Sequence, residues 1–230
     1  MPLRVLITGT NRGIGLEFVR QYLTQGAQIF AAARQPYSTE LTKLAAEHPS
    51  QLLLIPLNVT DDQELQKAVQ LVSQKTPGLD LLINNAAISS SQKSVGSFER
   101  AEMLQVLNTN AVAPILVGQA FLPLLRQGSA PKIVNISTQI GSFTWNTSGM
   151  SPLYAASKSA LNMYTRSFAN QAAEVTTIAL HPGWVQTDMG GADATLTAPD
   201  SVSQIRKLIE KLTPADNGQF FSYNGLPHPW

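Results

Sequence analysis

Apolar residues along this chain gather in short, nearly unbroken runs. Arg4–Thr8, Gln28–Ala33, Leu52–Leu57, Leu79–Asn84, Lys132–Ser137 and Thr176–His181 are the clearest. A strand with one wet face alternates apolar and polar residues, so continuous runs predict strands buried on both faces. Between them lie segments with helical spacing, most evident over Asp61–Lys75, Glu99–Arg126 and Pro152–Ala173. A further helix over Ser201–Leu212 precedes a last short strand, Gln219–Tyr223. Strand and helix alternate from end to end. That order predicts an α/β fold: a parallel, doubly wound sheet of about seven strands, right-handed crossovers, and helices on both faces. No repeat or linker divides the chain, so residues 1–230 are expected to form a single domain. Ser89–Ser97 and Gly183–Pro199 are its long polar or glycine-rich loops, where such folds place function.

The first strand runs straight into "TGTNRGIG", Thr8 to Gly15, at a strand-to-helix junction. In that context a glycine trio has three separate uses. Gly9 makes a tight turn, Gly13 admits a close approach to a pyrophosphate, and Gly15 lets the helix pack against the sheet. The free N–H groups of Asn11, Arg12, Gly13, Ile14 and Gly15 then face the phosphates. This pattern is that of a Rossmann-type dinucleotide site. The second strand, where an acidic residue would take a ribose 2′-hydroxyl, ends instead in Ala33-Arg34. Arg34, with Arg12 in the glycine turn, suits a 2′-phosphate, so NADP(H) is expected over NAD(H).

Composition narrows the classes further. With 43% hydrophobic residues and a net charge of +1, the chain reads as globular, and it carries no extended Lys/Arg run. Neither nucleic-acid binding nor disorder is indicated. Cysteine is absent, which removes disulfides and thiolate chemistry, and His48, His181 and His228 are not at metal-ligand spacing. No apolar run of membrane length and no signal-peptide pattern is seen, so a cytoplasmic protein is the expectation.

In "LYAASKSAL", Tyr154 and Lys158 stand one helical turn apart, on one face. With the glycine turn, "NNAA" at Asn84–Ala87 and "HPGWVQT" at His181–Thr187, this pair resembles the short-chain dehydrogenase/reductase family over essentially the whole chain. The finer detail, "IGSF", "HPGWVQTDMGG" and "GQFFSYNGLPHPW", is similar to its C-factor and sniffer-like carbonyl reductase branch. The resemblance implies that residues 1–90 mainly bind the dinucleotide and 91–230 mainly carry catalysis and substrate. It makes Tyr154 the general acid/base, with Lys158 holding the nicotinamide ribose and lowering the phenol's pKa. Counting back from Gly141, Thr138 takes the catalytic hydroxyl position, with Ser137 as fallback if the register differs. Asn110, four residues before Pro114, matches the family's structural and relay asparagine, although Asn108 lies near enough to test that register.

For the cofactor, the resemblance points to Asn58 and Val59 near adenine and Asn85-Ala86 near the ribose. It places Pro182, Gly183, Val185 and Thr187 at the nicotinamide. Asn58 stands where the family commonly has Asp, and Asn85-Ala86-Ala87 replaces Asn-Ala-Gly. Phe143, Trp145, Met150, Trp184 and Met189 suggest an apolar or aromatic carbonyl substrate. The family commonly pairs into dimers or tetramers through the two longest helices. The expected activity is NADP(H)-dependent reduction of an aldehyde or ketone. The alternatives are a dinucleotide-binding sensor with little turnover, and a dehydratase or epimerase of the same fold.

Overall fold

A computed structural model describes residues 2–90, 94 and 96–230. Much of the expected loop Ser89–Ser97 therefore lies outside the described residues. The strands are β1 (Arg4–Thr8), β2 (Gln28–Ala33), β3 (Leu52–Pro56), β4 (Leu81–Asn84), β5 (Lys132–Ile136), β6 (Thr176–His181) and β7 (Phe220–Ser222). They form one parallel sheet in the order β3-β2-β1-β4-β5-β6-β7. This is the seven-stranded Rossmann-type architecture expected, with strand ends shifted by a residue or two.

Unbroken apolar runs have the predicted cause. Along β1, Val5 and Ile7 enter one core while Leu6 enters the other. In β4, Leu81 and Ile83 oppose Leu82 in the same way. Helices α1 (Gly13–Thr24), α2 (Thr39–Glu47) and α7 (Ala198–Lys211) cover the first face. The second is covered by α3 (Asp62–Ser73) and α5 (Ala113–Leu125), with Phe168 from α6 (Pro152–Gln171) packed alongside. Phe121 of α5 is wholly buried, and truncating such a residue to alanine costs about 3–5 kcal/mol.

The single helix expected over Glu99–Arg126 is interrupted. α4 (Arg100–Leu107) leads into a π-helical turn, Asn108–Val112, and then into α5. Pro114 supplies the reason, since it has no N–H and its ring crowds the carbonyl four residues earlier, at Asn110. The widened turn absorbs that conflict, with the Ala113 N–H reaching back five residues to the Asn108 carbonyl. Taken together, Arg100–Leu125 is long and apolar enough by length and composition to cross a membrane. That qualifies the reading that no such stretch exists. Val117, Phe121 and Leu125 are, however, buried in the second core.

Candidate active site

Most of the site residues named from sequence follow the C-terminal end of a strand. The order reverses between β1 and β4, and the crevice outside that switch point is where such sheets bind ligands. Thr8 ties the two ends together, its Oγ1 accepting from the Asn85 N–H at 3.0 Å and the Ala86 N–H at 3.1 Å. The Asn85 amide donates to the carbonyls of Thr8 and Gly9 at 2.9 and 3.0 Å. Gly9 is left-handed at φ +72°, and a Cβ there would lie 2.8 Å from Ala86 Cα. At Gly15 a Cβ would meet the Gly9 carbonyl oxygen 2.2 Å away. Both glycines are therefore obligatory for the turn and for the close seating of α1.

α1 starts without a side-chain cap and with no acidic residue in its first turn. Its N-terminal N–H groups, from Gly13, Ile14 and Gly15, are left for an anion. Ile14 sends its side chain into the first core. Asn11 donates to the Gln35 carbonyl at 2.9 Å, fastening the glycine turn beside Arg34, and its own Oδ1 is a buried acceptor without a partner among the described residues. Arg34 is exposed just beyond β2. Arg12 is exposed as well, and pairs with Asp188 at 3.1 Å across the crevice. An uncapped helix start and two arginines fit phosphate groups, and the Asn11 oxygen fits a hydroxyl or N–H donor of a dinucleotide.

Asn58 follows β3 and is partly engaged within its own turn. Its Oδ1 accepts from the Thr60 N–H at 3.3 Å and hydroxyl at 3.0 Å, so only the NH₂ remains toward a base. Val59 packs against the second core.

The catalytic candidates cluster where β5 meets α6. Ser137 is buried and donates to Asn162 Oδ1 at 2.6 Å, which turns its hydroxyl into α6. Thr138 is half-buried, and its Oγ1 has only a long contact of 3.4 Å from the Ile140 N–H. Of the two, Thr138 keeps a proton to donate. The short helix Gln139–Gly141 then lies against α6, close enough that a Cβ on Gly141 would sit 2.9 Å from Lys158 Cβ. Ser159 clamps it, donating to the Gly141 carbonyl at 2.8 Å.

Lys158 is wholly enclosed, and its Nζ donates to the Ile136 carbonyl at 2.7 Å. That nitrogen lies 5.8 Å from the Tyr154 ring centre. Burial pushes the ammonium down to about 7 and the phenol up to about 12. The expected lowering of Tyr154 by Lys158 is thus not what the protein alone produces. Removal from water favours the neutral form of each group, and the lysine's charge is directed at a carbonyl rather than at the phenol. At neutral pH the phenol is a fully protonated acid.

Asn110 is buried inside the π-turn. Its Oδ1 accepts from the Ile88 N–H at 2.9 Å, and its Nδ2 donates to the Ile88 carbonyl at 2.8 Å and to Ser157 Oγ at 3.1 Å. Ser157 in turn donates to the Tyr154 carbonyl at 2.7 Å, so Asn110 steadies the helix that carries the acid. Sequence reading missed Ser157, Asn162 and a chain running Asn84–Asn135–Thr165 from β4 to α6. A signal existed, because Asn84 and Asn135 are polar residues in otherwise apolar strands.

Beyond β6, Pro182 accepts a hydrogen bond from Ser201 at 2.6 Å, and Gly183 turns the chain at φ +84°. Val185 bridges Leu196, while Thr187 Oγ1 donates to the Val185 carbonyl and accepts from the Gly190 N–H at 3.1 Å. Trp184 Nε1 donates to the Gly190 carbonyl at 2.7 Å. The loop is knitted to itself, because small residues permit close backbone packing. The segment Leu226–Trp230 also joins the site's rim. Trp230 packs on Phe220, and its carbonyl accepts from Thr144, inside the apolar Phe143–Trp145 stretch. His228 meets buried His181 edge to face, and the pKa of His181 falls to about 4 through burial and the neighbouring imidazole.

The fold is a single Rossmann-type α/β domain, with Tyr154 and Lys158 on the helix that follows β5. The family model described as short chain dehydrogenase matches residues 4–195, and the chain belongs to that oxidoreductase family. It is 43% identical over 157 residues to the C-signal of Myxococcus xanthus, spanning 67% of this chain and 95% of that one. With the short-chain dehydrogenase srdF of Neurospora crassa it shares 34% identity over 98% of this chain and 97% of that one. Among solved structures, the carbonyl reductase Sniffer of D. melanogaster superimposes with a TM-score of 0.94 at 35% identity, covering 100% of both chains. The NADPH-bound carbonyl reductase from chicken fatty liver gives 0.91 at 36%, again over 100% of both.

Proposed function

We propose that the protein reduces an aldehyde or ketone to an alcohol with NADPH. The observation carrying this reading is the pair of half-buried Tyr154 and buried Lys158, its ammonium nitrogen 5.8 Å from the phenol ring, on the helix that follows the Thr138 strand end, with an uncapped glycine turn at the same end of the sheet. When bound, the nucleotide supplies a hydride to the carbonyl carbon. Thr138 hydrogen-bonds the carbonyl oxygen and polarises it, and Tyr154 delivers the proton that completes the alcohol. Lys158 would hold the nicotinamide ribose, while Asn110, through Ser157, holds the helix in place. The exposed apolar side chains of Phe143, Trp145, Met150, Trp184 and Met189 suit an apolar or aromatic carbonyl compound. Leu104, Leu116, Met163 and Tyr164, exposed on α4 to α6, are the face we assign to pairing with a second copy. Sedimentation of a Met163→Glu variant as a smaller species than the native protein would support that assignment.

NADPH consumption followed by absorbance against aromatic aldehydes, quinones and diketones tests the reaction. Turnover that disappears in Tyr154→Phe, with NADPH still bound, supports the reductase. The 43% identity to a protein called C-signal favours a second reading, a dinucleotide-binding signalling protein. Tight NADPH binding without turnover on any carbonyl would favour it.

A further inference from the structure

The glycine turn and the loop after β6 face one another across the dinucleotide crevice and are in direct contact. A Cβ on Gly13 would lie 3.2 Å from the Thr187 methyl. One residue to either side, Arg12 and Asp188 form their 3.1 Å ion pair, both side chains largely exposed. Asp188 is thus a carboxylate placed on one of the two guanidiniums that the sequence offers to a 2′-phosphate. The other, Arg34, has no ion pair among the described residues, and the Asn11–Gln35 hydrogen bond draws its segment to the same rim. α1 presents no acid of its own there. Asp188 is therefore the carboxylate that meets this cluster.

We propose that Asp188 is a specificity-determining residue that competes with the cofactor's 2′-phosphate for Arg12. This rests on the NADPH reading above. Asp188 holds Nη1 of that guanidinium through one carboxylate oxygen, so a 2′-phosphate on Arg12 would stand beside a second anion and share its donors with it, and the two compete. The competition lowers affinity for the phosphorylated dinucleotide and leaves the unphosphorylated one nearly untouched. Exposed ion pairs are weak, so the effect is modest, about two- to fivefold in dissociation constant, and it fades as salt screens the pair.

The experiment measures dissociation constants for NADPH and NADH by fluorescence, at low and high salt, in the native protein, Asp188→Asn and Arg12→Ala. The expected result is NADPH binding two- to fivefold tighter in Asp188→Asn at low salt, with NADH unchanged and the gain reduced at high salt. Arg12→Ala combined with Asp188→Asn should bind NADPH no better than Arg12→Ala alone. Weaker or unchanged NADPH binding in Asp188→Asn overturns the proposal, as does an equal gain for both dinucleotides. If the native protein prefers NADPH and Arg12→Ala weakens it, such a failure concerns Asp188 alone. If the native protein shows no preference for NADPH, the cofactor reading falls together with the proposal.

Discussion

The two ends of the sheet are built on opposite terms. At the N-terminal end, Arg4 and Asp80 form a half-shielded bidentate pair, 2.7 and 2.9 Å long, and the backbone N–H groups of Arg4 and Ser129 add two more bonds to the carboxylate at 2.9 and 2.7 Å. Burial alone would push Asp80 up, but the bonds from Arg4 and Ser129 hold it below the usual carboxylate range. At the C-terminal end, α1 lacks a side-chain cap, Asn11 Oδ1 has no partner among the described residues, and half-buried Tyr154 and enclosed Lys158 have their charged forms disfavoured. One end satisfies its polar groups at once and contributes stability. The other leaves them for ligands, at a cost in stability that the rest of the fold offsets.

That contrast can be broken most severely at the acid. Tyr154→Phe should lower turnover by a factor of about 10²–10⁴ while the dissociation constant for NADPH changes little, measured by absorbance and fluorescence. Next comes Lys158→Met, which should abolish useful turnover yet raise thermal stability near neutral pH. The folded lysine releases its proton near 7 and the unfolded one near 10.5. Between those values the unfolded chain holds the extra proton, so native stability climbs with pH. The advantage of Lys158→Met, on the order of a few kcal/mol at or below pH 7, should shrink steadily and vanish by about pH 10.5. A melting-temperature gap that stays constant over that range would sink the account. Tyr154 has the opposite sign, because its unfolded phenol ionises first; it subtracts stability from about pH 10 to about 12.

At the other end, Asp80→Asn should cost about 3 kcal/mol and lower the melting temperature by roughly 6–12 °C, with catalysis untouched below the transition. The native Asp80 contribution is present above the ordinary carboxylate pKa and is lost as pH falls through its lower folded value, whereas the asparagine variant should lack that acid limb. The smallest effect is the few-fold gain in NADPH affinity from Asp188→Asn.

Pattern along the chain was enough for the doubly wound sheet, since a strand covered on both faces has to be apolar at every position. It also located the glycine turn and the Tyr154–Lys158 pair, because both are local: one strand-helix junction and one helical turn. Resemblance placed Asn110, and Pro114 four residues on gives the physical reason for the π-turn around it. Non-local matters were out of reach. Whether Ser137 or Thr138 keeps a free hydroxyl depends on Asn162, 25 residues away, taking the former. The sign of the Tyr154 shift depends on burial and on Ile136 capturing Lys158, neither of which spacing encodes. Asp188 gave no signal in sequence beside a glycine turn more than 170 residues earlier. Periodicity and backbone chemistry act between near neighbours and are written into the chain, whereas competition for a charge or a hydroxyl is decided only by which distant groups the fold brings within bonding range.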